Sequence, residues 1–202
     1  MTSLFGEPDG ATPLDHDDRL GLLRTDIATR EELNQAEAEN IAAALQWAFS
    51  SRRTLPRFLT QAEIKTLHRR MFGDVWRWAG DLRRRETNIG VEPYRIATEL
   101  ESLLRDVQAQ TADAERLAYP ADELAVRFHH RLVSIHLFPN GNGRHARLAA
   151  DVVVVSLGRP RFSWGSGGHL AEASGMRNRY LAALRAADRD RAYEPLLEFA
   201  RS

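Results

Sequence analysis

The chemistry of this chain is concentrated between Ser134 and Ala150, in SIHLFPNGNGRHARLAA. A titratable base, His136, stands just before a Pro-Asn-Gly-Asn-Gly turn, and two permanent cations, Arg144 and Arg147, stand just after it. Gly141 and Gly143 let backbone N–H groups come close to a ligand. A helix starting there adds the unpaired donors and partial positive charge of its first turn, a combination suited to phosphate. Arg144 and Arg147 are three positions apart, so on a helix both can face one anion, and a guanidinium matches phosphate oxygens through paired hydrogen bonds. Asn142 adds a neutral hydrogen-bonding group. Asn140 offers an amide oxygen to a hard cation such as Mg2+, which otherwise keeps water and phosphate oxygens as ligands. With an ordinary pKa of ~6.5, His136 can take a proton from a hydroxyl that attacks a phosphorus held in the loop. These residues point to phosphoryl or nucleotidyl transfer. A plain helix–helix connection with nearby arginines would use the same letters.

The elements that must position this loop read as helices. Pro120 stands at the mouth of one, a favoured place for proline, and Leu124, Phe128, Leu132 and Ile135 line one side of it before it delivers His136. The next runs from about Gly141 to Leu157. Its run of four valines suggests a strand by propensity, but the pattern is continuous and ends at Gly158, a suitable residue beyond a helix end. Thr29–Glu32, Thr60–Glu63 and Thr98–Glu101 each fit a capping box ahead of an apolar helical face. The first of these helices carries Ile41, Leu45, Ala48 and Phe49 at helical spacing. The segment from Arg177 onward reads as one or two helices around the polar stretch Asp188–Arg191. The exception is Leu82 to Ile96, where Asn88-Ile-Gly90 and Pro93 break the helical pattern; this reads as a short β-hairpin or extended flap. Residues 1–28, rich in Gly, Pro and Asp, read as an extended arm, and 29–202 as one domain.

Composition narrows the class. Lys+Arg and Asp+Glu are both 28, so no global charge argues for nucleic acid or an anionic membrane. The absence of cysteine excludes disulfides, thiolate metal sites and a cysteine nucleophile. No stretch reaches the ~18–20 apolar residues of a membrane span, and the N-terminus lacks a secretory pattern; a cytoplasmic home is expected. His129, His130 and His145 form no zinc motif. His129 and His130 are expected in the core or behind the site, and His145 on the surface. Trp47, Trp76, Trp78 and Trp164 are expected to pack, with Trp164 close enough in sequence to neighbour a nucleotide. Arg83–Arg85 read as a solvated hairpin edge or a contact for an acidic target.

HLFPNGNGRHAR resembles the signature of the Fic (Fic/Doc) family, H-x-F-x-(D/E)-G-N-G-R-x-x-R, at every fixed position except Asn140. LHRRMFGDVWRWAGDLRRRETNIG resembles the segment that leads a helix into a flap over the Fic site, and RYLAALRAADRDRAYEPLLEFAR resembles the closing helices. DGATPLD with TNIG is similar to a bacterial subgroup called mobile mystery protein B. The resemblance implies a mostly α, Fic-like helical bundle with a short β-hairpin flap over the active-site loop. It implies a protein adenylyltransferase using ATP with Mg2+, acting on a target-protein Ser, Thr or Tyr hydroxyl. His136 would be the general base and Phe138 a core support. Gly141, Asn142, Gly143, Arg144 and Arg147 would bind nucleotide phosphates, and Asn140 would stand where an acid usually meets the metal. Thr87, Asn88, Ile89, Gly90 and Val91 would dock the target by strand addition. Relatives also carry an inhibitory helix with (S/T)-x-x-x-E-(G/N). Glu39-Asn40, in the helix of about 30–50, matches it in part, with Gln35 at the hydroxyl position. That implies an inhibitory Glu39 over Arg147; a solvated glutamate is the alternative. An antitoxin-like regulator and a homodimer are partners the family suggests. Two other functions compete. One is a Doc-like phosphotransferase, whose loop carries a lysine that Gly143 replaces here. The other is a catalytically weak nucleotide-binding module, kept open by Asn140.

Overall fold

A computed structural model describes residues 16–50, 54–113, 116–165 and 174–202. Among them the helices run α1 (His16–Arg19), α2 (Arg30–Ser50), α3 (Leu55–Phe58), α4 (Gln61–Phe72), α5 (Ile96–Gln110), α6 (Ala121–Ile135), α7 (Asn142–Ser156), α8 (Ser174–Asp190) and α9 (Glu194–Arg201). A 3-10 turn, Pro93–Arg95, leads into α5. The architecture is the expected helical bundle. None of the described helices is long and apolar enough to cross a membrane.

The first capping box forms as expected. Thr29 Oγ1 accepts from Glu32 N at 3.2 Å, and Glu32 Oε2 accepts from Thr29 N at 2.9 Å, which fixes where α2 begins. At Thr60 the hydroxyl accepts from Glu63 N at 3.3 Å and starts α4. The box expected at Thr98 does not form. Pro93 opens a 3-10 turn that runs straight into α5 at Ile96, so Thr98 lies inside the helix and Glu101 instead accepts from Gln61 Nε2 at 3.1 Å.

α7 is the central element. It packs along α6 and against α4 and α2. Leu148, Ala149, Ala150 and Val152–Val154 are buried on all sides, and Val155 alone of the valines is exposed. A helix enclosed in this way gains more from burial than it loses through the modest helix penalty of valine. Gly158, with φ 79°, follows its end.

Part of the arm is docked. Leu22 and Trp76 form an isolated antiparallel bridge, Leu23 N donates to Val75 O at 2.9 Å, and Arg77 N donates to Gly21 O at 2.8 Å. Asp18 closes this strap by pairing with Arg85 of the flap. Residues 1–15 lie outside the described ones.

The flap is extended, but it is not a β-hairpin. Among the described residues, 82–92 contain no strand ladder. Its two arms are tied to the loop after α6 instead: Arg83 N donates to Leu137 O at 3.0 Å and Val91 N donates to Ile135 O at 3.3 Å. The Arg83 side chain fills the space where cross-strand bonds would run.

Candidate active site

His136 ends α6 in the left-handed region, φ 58° and ψ 67°, with its N–H donating to Leu132 O at 3.2 Å. This turns the chain out of α6 and leaves the imidazole 5% exposed, beside the loop that follows. Burial, with the Arg83 cation second, pushes its pKa down to about 4, while the Val133 carbonyl favours the protonated form. At neutral pH the ring is therefore uncharged and able to accept a proton.

The loop is held from beneath by Phe138 and His68. Phe138 is fully buried, and its ring stacks on His68 with centroids 3.7 Å apart. Gly80 N donates to His68 Nδ1 at 3.0 Å, so the proton of this ring sits on Nε2, which reaches Asn140 O at 3.1 Å. Burial holds His68 neutral. Gly141, φ 77°, is the residue from which α7 springs, and a Cβ there would stand 2.7 Å from the Phe72 ring. Only glycine fits both constraints.

Asn142 shapes this loop with its whole side chain. Its Oδ1 accepts from Phe138 N at 2.9 Å and its Nδ2 donates to Phe138 O at 2.8 Å. The amide is thus turned into the loop, not toward a ligand; what residue 142 offers an anion is its main-chain N–H. The first-turn amides of Asn142, Gly143 and Arg144 have no carbonyl four residues earlier in the helix to bond, and they stand at the positive end of α7. A Cβ at Gly143 would rest in ordinary contact with the Tyr180 hydroxyl, 3.7 Å away.

The two arginines of α7 have different neighbours. Arg144 Nη1 donates to Glu37 Oε2 of α2 at 2.6 Å, and its guanidinium lies 4.7 Å from the centre of the Phe72 ring. Arg147 is half-buried, 5.6 Å from the Tyr180 ring centre, and burial lowers its pKa. A helix N-terminus with Arg144 and Arg147 on its first turns, preceded by an uncharged imidazole, is equipped to hold a polyphosphate and deprotonate a nucleophile next to it.

Residues 58–154 match the sequence profile of the Fic/DOC family, a stretch that runs from the last residue of α3 into the last turn of α7 and includes His136 and the α7 N-terminus. The chain belongs to the Fic/DOC family. It is 28% identical over 104 residues to the protein adenylyltransferase Fic of Aedes aegypti, a match covering 51% of this chain and 21% of the mosquito protein. The chain thus spans about a fifth of that relative's length. The fold is similar to the BepC protein of Bartonella tribocorum, a VirB-translocated effector solved with AMPPNP (TM-score 0.64, 16% identity, 93% of this chain and 97% of that one). It is also similar to the N-terminal Fic domain of a putative cell filamentation protein from Bartonella quintana, solved with ADP (TM-score 0.67, 17% identity, 92% and 94% covered).

Two expectations for this Fic loop are corrected by its geometry. Asn140 is not presented as a metal ligand: its Oδ1 accepts from Gly141 N at 2.6 Å, closing the turn. A neutral amide already engaged in this way does not fit a Mg2+ site. No group of three His, Asp or Glu among the described residues supplies one elsewhere. Glu39 does not meet Arg147. It lies on the exposed face of α2 and accepts from Gln35 Nε2 at 2.8 Å. Two residues along a helix is about 200° of rotation, so the glutamate that faces the site is Glu37. Its other oxygen accepts from Trp76 Nε1 at 2.6 Å, and it is only 6% exposed.

The remaining histidines and tryptophans take supporting roles. His145, expected at the surface, is buried and bonds Ile64 O at 3.0 Å. His129 meets the Tyr180 hydroxyl at 3.1 Å, and His130 meets Asp188 at 2.8 Å. Trp164 is buried against Asp151, its Nε1 donating at 3.0 Å. Sequence reasoning missed Glu37, His68 and Tyr180, and it placed Arg83 on a solvated edge, where the structure buries it. Only Glu37 left a usable signal, for it shares a helical stripe with Leu33, Ala36, Asn40 and Ala44, all buried.

Proposed function

We propose that this Fic-family chain is a protein adenylyltransferase. The phosphates of ATP lie across the N-terminus of α7, met by its first-turn amides and by Arg144 and Arg147. His136 takes the proton of a target Ser, Thr or Tyr hydroxyl. The freed oxygen attacks the α-phosphorus, a new O–P bond forms, the α–β bridging P–O bond breaks, and pyrophosphate leaves with that bond's electron pair. The outer edge of the flap at Thr87–Val91, where Ile89 is 46% exposed, receives the target segment in extended form. The observation that carries this reading is the placement of a buried, uncharged His136 in the turn that leads to a glycine-started helix N-terminus, with Arg144 and Arg147 on the first turns of that helix. Anionic phosphates arriving beside the ring favour its protonated form and strengthen it as a base.

A restrained enzyme is the second reading, favoured by the Glu37–Arg144 contact. With that contact closed, Arg144 is engaged by a carboxylate before any phosphate arrives, and Glu37 takes the inhibitory role expected of Glu39. Labelling separates the chemistries. With α-labelled ATP, label on protein supports adenylyl transfer, and its loss in His136→Ala assigns the base. Label from γ-labelled ATP alone would indicate Doc-like phosphate transfer, and label from neither a binding module.

A further inference from the structure

Arg83 was expected on a solvated edge, yet it is 3% exposed and its guanidinium is engaged on all sides. Nε donates to His136 O at 2.6 Å, and Nη1 donates to Arg85 O at 2.8 Å. Nη2 donates to Ile135 O at 3.3 Å and also to Val91 O. One side chain thus binds the first arm of the flap, the second arm, and the carbonyls on either side of the His136 peptide link. The rigid, five-donor fork of arginine can serve carbonyls in several directions at once, which an ammonium on a flexible stem cannot do in the same geometry.

His136 needs such support. Its left-handed backbone is one that residues with a Cβ adopt sparingly. Gly90 shows how closely the flap is drawn down: a Cβ there would lie 2.6 Å from Arg83 Nη2 and 2.6 Å from His136 Cβ, at φ 109°. Flap, guanidinium and histidine are therefore stacked in contact. The groups acting on the His136 ring include the Arg83 cation from the flap and the Val133 carbonyl from α6.

We propose that Arg83 is a positioning residue that binds His136 and both arms of the flap into one unit, so that the base is presented only while the target-receiving edge is in place. This rests on His136 being the base. A guanidinium serving only the fold would leave the state of the ring and the flap-to-loop bonds unchanged when replaced in a chain that still folds.

The test uses Arg83→Gln and Arg83→Lys in the full chain, with three readouts: the His136 ring titration by NMR, hydrogen exchange of the Val91 amide, and steady-state adenylylation. In Arg83→Gln the ring pKa rises from about 4 toward its ordinary ~6.5. Val91 exchange speeds up by about tenfold or more, and kcat falls by about tenfold or more with KM for ATP unchanged. Arg83→Lys keeps the charge but loses the fork, so the ring pKa stays low while Val91 exchange and kcat change as in Arg83→Gln. An unaltered ring titration and unaltered Val91 exchange in folded Arg83→Gln overturn the proposal. If Arg83→Gln does not fold, unaltered Val91 exchange in Arg83→Lys overturns it. If His136→Ala still labels its target, the base assignment has failed, while titration and exchange still decide the role of Arg83.

Discussion

Replacing Glu37 with glutamine releases Arg144 without opening the core. Glu37 Oε1 accepts the Trp76 indole proton at 2.6 Å, and a glutamine carbonyl can keep that bond. The other oxygen, 2.6 Å from Arg144 Nη1, becomes an NH2 group facing a donor. Hydrogen bonds to charged groups are worth about 1.5–3 kcal/mol. The Glu37 side chain is 8% exposed but that of Arg144 is 35% exposed, so solvent screening reduces the value here to about 1–2 kcal/mol. A phosphate that no longer competes with the carboxylate, nor meets its negative charge, gains that amount, or roughly 5- to 30-fold in affinity. Titration with a fluorescent ATP analogue should therefore show tighter binding by Glu37→Gln, and α-labelled ATP should label protein faster. Glu39→Gln, altered on the opposite face of α2, should bind as the parent does. Unchanged affinity in Glu37→Gln, or the gain appearing in Glu39→Gln instead, would refute the argument.

Two further outcomes follow from the site. Asn140→Asp replaces an amide that does not fit Mg2+ with a charged carboxylate whose second oxygen is left over once the bond to Gly141 N is kept, and Mg2+-dependent labelling should increase; equal labelling with and without the substitution would mean that the turn keeps even a carboxylate away from the metal. Stability should fall as the pH drops from about 6.5 toward 4. His129 is pushed down to about 3, and His136 and His145 to about 4, chiefly by burial, with His68 also held low. In that window the unfolded chain binds protons that the folded chain refuses, so each such group removes on the order of 1.4 kcal/mol per pH unit. Asp151, pushed up to about 6 by burial, acts in the opposite sense between about 6 and 3.8 and is outnumbered. Thermal melts at pH 7 and pH 5 should show the lower Tm at pH 5; a Tm that rises on acidification would be incompatible with these buried neutral rings.

The parts of the fold set by local rules were legible. α6 could be followed from Pro120 to His136 because Leu124, Phe128, Leu132 and Ile135 repeat at helical spacing and all four are buried. The Thr29 box was visible because its donors and acceptors lie within four residues. Position along the chain also placed His136, Gly141 and the two arginines around one helix start. What could not be read was how each polar side chain would be satisfied. Asn142 resembles a phosphate ligand in sequence, but folding the loop buries Phe138, whose N–H and C=O then need partners that Asn142 supplies.

The β-pairing within the flap and the choice of Glu39 as the brake are corrected for the same reason. A motif pattern favoured Glu39 through its neighbour Asn40, whereas the buried stripe of α2 selects residues three and four apart and turns Glu37 inward. Asn40 is indeed on that stripe, but it serves Asp74, donating from Nδ2 at 2.7 Å and accepting from Asp74 N at 3.0 Å. In the flap, extended residues around a glycine suggested strands that pair with each other. The carbonyls of Arg85 and Val91 instead find Arg83, so a charged side chain replaces the ladder. A guanidinium in that place is sensitive to the loop carbonyls beyond it, as a strand pair would not be, since its Nε reaches His136 O and the Nη2 that bonds Val91 O also reaches Ile135 O. The substitution of a side-chain knot for a β-ladder is thus what brings the flap and His136 into direct contact.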